Sequence, residues 1–131
     1  MLDVDQVWHL VAEGIEKSHA GSWDSYTTGK LHQMCRSGEA FLILAHDDQK
    51  VWGASIWQFR TVDNKPVFQA LAFYGEDVGT WFGDMRERVR HMAKMNGAVS
   101  LVDEGRPGMG KLFEKHGAKP QVRAVIYEEM L

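Results

Sequence analysis

The sequence predicts one α/β (α+β) domain over 1–131, a mixed sheet with helices on both faces in the order α-α-β-β-β-α-β-α-β. Three observations predict it. Two stretches with helical spacing of apolar residues open the chain. Three runs rich in β-favouring residues follow, separated only by short polar turns, which makes them an antiparallel meander. A long helical stretch then leads into a short apolar run, the arrangement of a crossover to a strand that can lie parallel. The chain has 131 residues, which allows one domain. A domain of this size buries about two-thirds of its unfolded surface and needs no staple.

The elements follow in order. Residues 3–17 place Val4, Val7, Trp8, Val11 and Ile15 at three- and four-residue steps on one helix face. Asp3 is the expected N-cap, and Gly14 is expected to weaken the last turn. A second helix is expected over 25–36, with Tyr26, Leu31, Met34 and Cys35 inward and Gly38 as its stop. The run 40–46 is too short and apolar for a helix and reads as a strand. Strands over 51–61 and 66–74 follow, with polar turns at 47–50 and 63–65. Trp81, Met85, Val89, Met92/Ala93 and Asn96 carry a helix over 78–96, closed by Gly97. A buried strand over 98–103, a short helix over 109–116 and a last strand over 120–131 complete the order. Trp52 falls on the opposite strand face from Trp57 and Phe59. Aromatics on both faces meet either a second helix layer or another subunit.

Composition excludes several function classes. Hydrophobic residues are 44% and charged residues 25% of the chain, ordinary for a globular domain. The formal charge is −3, with Lys+Arg 15 against Asp+Glu 18, which argues against nucleic acid as a partner. The single cysteine excludes a disulfide framework and a cysteine-rich zinc site. No run approaches a membrane span, and the acidic N-terminus is unlike a secretory signal, so a membrane or secreted location is not expected.

Candidate chemistry is sparse. Residues 105–111 spell G-x-x-x-x-G-K, but Leu112 stands where a phosphate loop has Ser or Thr, and Pro107 removes an N–H donor. The segment reads as a tight basic loop presenting Arg106 and Lys111 to an anion or a partner. Arg86, Arg90 and Lys94 form a basic stripe on the long helix, a candidate partner contact that otherwise reads as a solvated face. The six histidines show no i,i+4 pair, no metal site is expected, and no nucleophile elbow is present. Cys35 reads as a small buried hydrophobe.

The element order is that of the GNAT superfamily of acyltransferases. In the second half the sequence resembles it too. Residues 92–119 are similar to the GNAT stretch in which a helix ends in glycine, a strand follows, and a short helix closes with a motif here written Leu112-Phe113-Glu114-Lys115-His116-Gly117-Ala118. Gly105-Arg106-Pro107-Gly108-Met109 resembles the signature of small GNAT-like proteins of tailed bacteriophages. That group includes the internal virion protein A type of T7-like podophages.

The resemblance implies an acetyl-CoA site and marks departures from it. The family's pyrophosphate loop has the pattern [QR]-x-x-G-x-[GA]; here the segment is Glu76-Asp77-Val78-Gly79-Thr80-Trp81. Gly79 matches. Glu76 and Asp77 bring two carboxylates to an anion site, which costs affinity, and Trp81 is expected to block the backbone approach and to occupy the place of the cofactor phosphates. Phe113 stands where a tyrosine acts as general acid, and Gln69 stands on the strand that often carries a glutamate base. Glu104 is the one carboxylate left in a suitable place.

The expectation is a GNAT-like scaffold without enzyme chemistry or cofactor. It would act in virion structure, assembly or ejection through contacts with phage virion proteins, located in the virion or the host cytoplasm. Two alternatives stand beside it. One is an N-acetyltransferase holding acetyl-CoA on the backbone of Val78, Gly79 and Thr80, with Glu104 as base. The other is a phage-encoded inhibitor of a host protein.

Overall fold

The computed structural model describes residues 3–19 and 26–103, together with Lys115 and Glu129. Helix α1 (Val4–His19) starts where Asp3 caps it, its carboxylate accepting the Asp5 N–H at 3.0 Å. Val7, Trp8, Val11 and Ile15 are its buried stripe. The helix runs on through Gly14 to His19. The Tyr74 ring lies so close to Gly14 that any Cβ there would overlap it. Helix α2 (Thr28–Ser37) begins later than its apolar spacing implies, because Thr27 is the cap. The Thr27 hydroxyl accepts the Lys30 N–H at 3.1 Å. Leu31, Met34 and Cys35 face inward, and Gly38 ends the helix at φ 85°.

Strands β1 (Phe41–His46), β2 (Val51–Val62) and β3 (Lys65–Gly75) form the expected meander. Asp63 and Asn64 turn β2 into β3 with φ of 52° and 63°, the two left-handed residues of a type I′ hairpin. Helix α3 (Val78–Met95) then crosses over to β4 (Ser100–Asp103), which lies parallel to β3. The sheet order is β1-β2-β3-β4.

Two cores flank the sheet. On one face Trp8, Val11 and Ile15 of α1 and Leu31 and Met34 of α2 pack over Ala54, Ile56 and Ala72. On the other, Met85, Val89 and Ala93 of α3 pack over Trp57 and Phe68. Helices on both faces are thus observed, with Trp57 and Phe59 covered by α3. On α3, Phe82 joins the buried stripe. Asn96 does not. It is an exposed cap residue whose side-chain amide donates to the Met92 carbonyl at 2.8 Å. The expected helix over 109–116 and strand over 120–131 lie outside the described residues.

β3 carries one irregularity. Ile56 pairs with Ala72 and Trp57 with Ala70, which leaves Leu71 as an extra residue. This bulge reverses the alternation: Phe68 and Ala70 face α3, whereas Leu71 and Ala72 face α1.

Candidate functional site

The bulge sits just past the last described β3–β4 pair. β3 and β4 pair from Val67 opposite Ser100 to Ala70 opposite Asp103. Beyond Ala70, β3 continues to Gly75 with no β4 partner among the described residues. The chain then turns at Glu76 and Asp77 into α3, so the helix N-terminus stands just past the free end of β3.

That N-terminus is open. Asp77 takes the left-handed conformation, φ 49° and ψ 41°, and its side chain makes no cap bond. A left-handed residue followed by helical ones turns successive N–H groups to one side, a concavity that suits an anion. Thr80 is committed elsewhere: its N–H and hydroxyl both donate to the Asp77 carbonyl, at 2.9 and 2.7 Å. The candidate donors are therefore Val78 and Gly79. Among the described residues, a Cβ built on Gly79 would meet nothing within 4 Å.

Two side chains expected to spoil this site are turned away from it. The Trp81 indole N–H donates to the Glu76 carbonyl at 2.7 Å. Its ring lies against Gly53 and Gly75, which face each other across β2 and β3. The ring therefore does not cover Gly79. The Glu76 carboxylate accepts from Lys50 Nζ at 2.8 Å, and that ammonium also lies 4.2 Å from the centre of the Trp52 ring. The negative charge of Glu76 is thus paired.

Between α3 and the sheet is a cavity of about 10 Å³, walled by Trp57, Phe73, Phe82 and Met85 and reached by Arg86 and Asp103. Its volume is no more than one water needs, and its walls are mainly apolar. Arg86 therefore does not belong to a uniformly solvated stripe; its side chain is 14% exposed. Arg90 is half-buried and donates to Glu87 at 3.2 Å, and Lys94 is exposed in the last turn. These three cations do not converge on one surface environment. Gln69, on the strand where a base is sought, is buried, and its carbonyl oxygen accepts from Arg60 at 2.6 Å. Glu104, Arg106, Lys111 and Phe113 lie outside the described residues.

Other polar groups serve the fold. Trp57 Nε1 donates to the Ser55 hydroxyl at 2.8 Å, and that hydroxyl donates to Met85 Sδ at 3.3 Å. Neither local spacing nor residue type signals this buried chain, because it joins β2 to α3. His32 stacks on Trp8 and bonds Asp5 at 2.8 Å. Burial pushes the Cys35 thiol up to about 11, so it is not a nucleophile near neutral pH. Among the described residues, no three His, Cys, Asp or Glu side chains are grouped to hold a metal ion, and no helix is long and apolar enough to cross a membrane.

Solved structures share this architecture. A probable acetyltransferase superimposes with a TM-score of 0.72 at 17% identity, over 96% of this chain and 93% of that one. Glucosamine-6-phosphate N-acetyltransferase from Arabidopsis thaliana gives 0.68 at 11% identity, over 98% and 95%. AAC(6')-Iy, solved with the bisubstrate analogue CoA-S-monomethyl-acetylneamine, gives 0.68 at 14%, over 95% and 93%. The fold is GNAT-like. No family model matches the sequence, and no curated protein matches it either. The GNAT-like fold agrees with the resemblance drawn from residues 92–119, in a chain whose identity to these structures is low.

Proposed function

We propose that the protein is an acyl-CoA-dependent N-acyltransferase. The observation that carries this reading is the N-terminus of α3, which has no side-chain cap bond from Asp77, with Glu76 paired and Trp81 folded back onto the sheet. Glu76 and Trp81 therefore no longer count against a pyrophosphate at Val78 and Gly79, whereas the Asp77 carboxylate beside those donors and Phe113 in place of the acid still do. The likeness to acetyltransferases across the whole chain favours the same reading over a virion or inhibitor role.

Bound acetyl-CoA would supply an activated acyl thioester. The chain's own part is to hold and orient. Val78 and Gly79 offer N–H groups, and the helix end adds about half a positive charge. Glu104, one residue past β4, takes the proton from the attacking amine. Gln69 has no basicity for that step, and Arg60 already holds its oxygen.

Calorimetric titration with acetyl-CoA, at low and moderate salt, tests the proposal. Saturable binding that weakens with salt is expected. Absence of saturable binding at millimolar acetyl-CoA would sink it.

A further inference from the structure

The sequence of this chain places a carboxylate, Glu76, directly before the amide concavity that begins at Asp77. Glu76 precedes Gly79 by three residues, which holds their Cα atoms within about 11 Å of each other, near the screening length of physiological salt. Left unpaired, it would repel a pyrophosphate. It is not left unpaired. Lys50, from the β1–β2 turn, reaches across to it at 2.8 Å. Lys50 is itself held over the Trp52 ring. Trp52 is in turn anchored twice: its indole N–H donates to Asp47 at 2.8 Å, and its carbonyl accepts the Glu76 N–H at 2.8 Å. The lysine is thus built onto the strand end that carries Glu76.

We infer that Lys50 is a positioning residue for coenzyme binding: it acts through Glu76, drawing that carboxylate onto itself and cancelling its charge beside the anion site. The inference rests on the acyl-CoA reading above. The probe is coenzyme A, and the readout is its dissociation constant by calorimetry for the native protein, Lys50→Met, Lys50→Arg, Glu76→Gln and the Lys50→Met/Glu76→Gln double variant.

Lys50→Met is expected to weaken binding about three- to tenfold at low salt, the size of one unscreened charge at this range. Lys50→Arg keeps the native value and guards against a folding defect. Glu76→Gln binds at least as well as native, and the double variant returns to the Glu76→Gln value. A double variant as weak as Lys50→Met would overturn the inference, because Lys50 would then touch the phosphates directly. Equal weakening by Lys50→Met and Glu76→Gln would also overturn it, because the pair would then serve only to tie the turn down. If the native protein does not bind coenzyme A, the acyl-CoA reading itself fails and takes this inference with it. Native binding with unaltered variants removes the inference alone.

Discussion

Gly53 and Gly75 show how two absent side chains shape a site. They face each other across β2 and β3, and the Trp81 ring occupies the space their Cβ atoms would take. Strand interiors lose stability at glycine, so this cross-strand pair is explained by the close approach of the ring. Gly75→Ala is expected to cost about 1–3 kcal/mol, the usual range for overpacking. Urea denaturation reads the cost, and a shift in native tryptophan emission reports the displaced indole. An unchanged midpoint would mean that the ring does not rest there. Asp47 gives a second residue-level test. Its carboxyl is held below the ordinary 3.8, first by the Trp52 indole N–H and then by the Lys50 and Gln49 amides. A folded pKa below the unfolded one means that ionisation stabilises the fold. That contribution is whole above the ordinary value and is lost as pH falls through the lowered one. The stability gap between native protein and Asp47→Ala is therefore flat from about pH 5 to 7 and narrows below about pH 4. Urea midpoints over a pH series check it, and a gap that stays constant at acid pH would contradict it.

The elements were largely legible because their signals are local. Apolar steps of three and four placed α1 and α3, and Gly38 and Gly97 marked helix ends with φ of 85° and 80°. The start of α2 was misplaced because a cap depends on one hydroxyl rather than on periodicity. Thr27→Ala removes the acceptor for the Lys30 N–H and is expected to cost about 1 kcal/mol. Thermal or urea unfolding measures it; no loss would show that the bond is replaced by water. The bulge at Leu71 left no such trace, since an extra residue in β3 is defined only against its partner β2. The side-chain directions at the candidate site are illegible for the same reason. Residue types at 76–81 announced a charge and a bulky ring. Their directions depend on Lys50, Gly53 and Trp52, which lie more than twenty residues earlier. Local sequence carries the identity of Trp81 but not the slot that receives its ring.

At the scale of the molecule, the acyl-CoA reading ties binding to stability, and Gly79 separates the two. A ligand that binds only the folded chain stabilises it by RT ln(1 + [L]/Kd), about 2.7 kcal/mol at a hundred times Kd. For a domain of 131 residues that raises the melting temperature by roughly 10 °C. Gly79 is in the first turn of α3, and no described residue comes within 4 Å of a Cβ built there. An aspartate there meets no steric obstacle, and its charge favours the helix end by about 0.3–1 kcal/mol. Gly79→Asp is therefore expected to melt at or above the native temperature without ligand. The same carboxylate sits among the amides offered to the pyrophosphate, so the rise with acetyl-CoA should vanish. The two effects have opposite signs, which a general structural defect cannot produce. Thermal melts with and without acetyl-CoA read both at once. A Gly79→Asp protein that keeps the full rise would place the ligand away from this helix end.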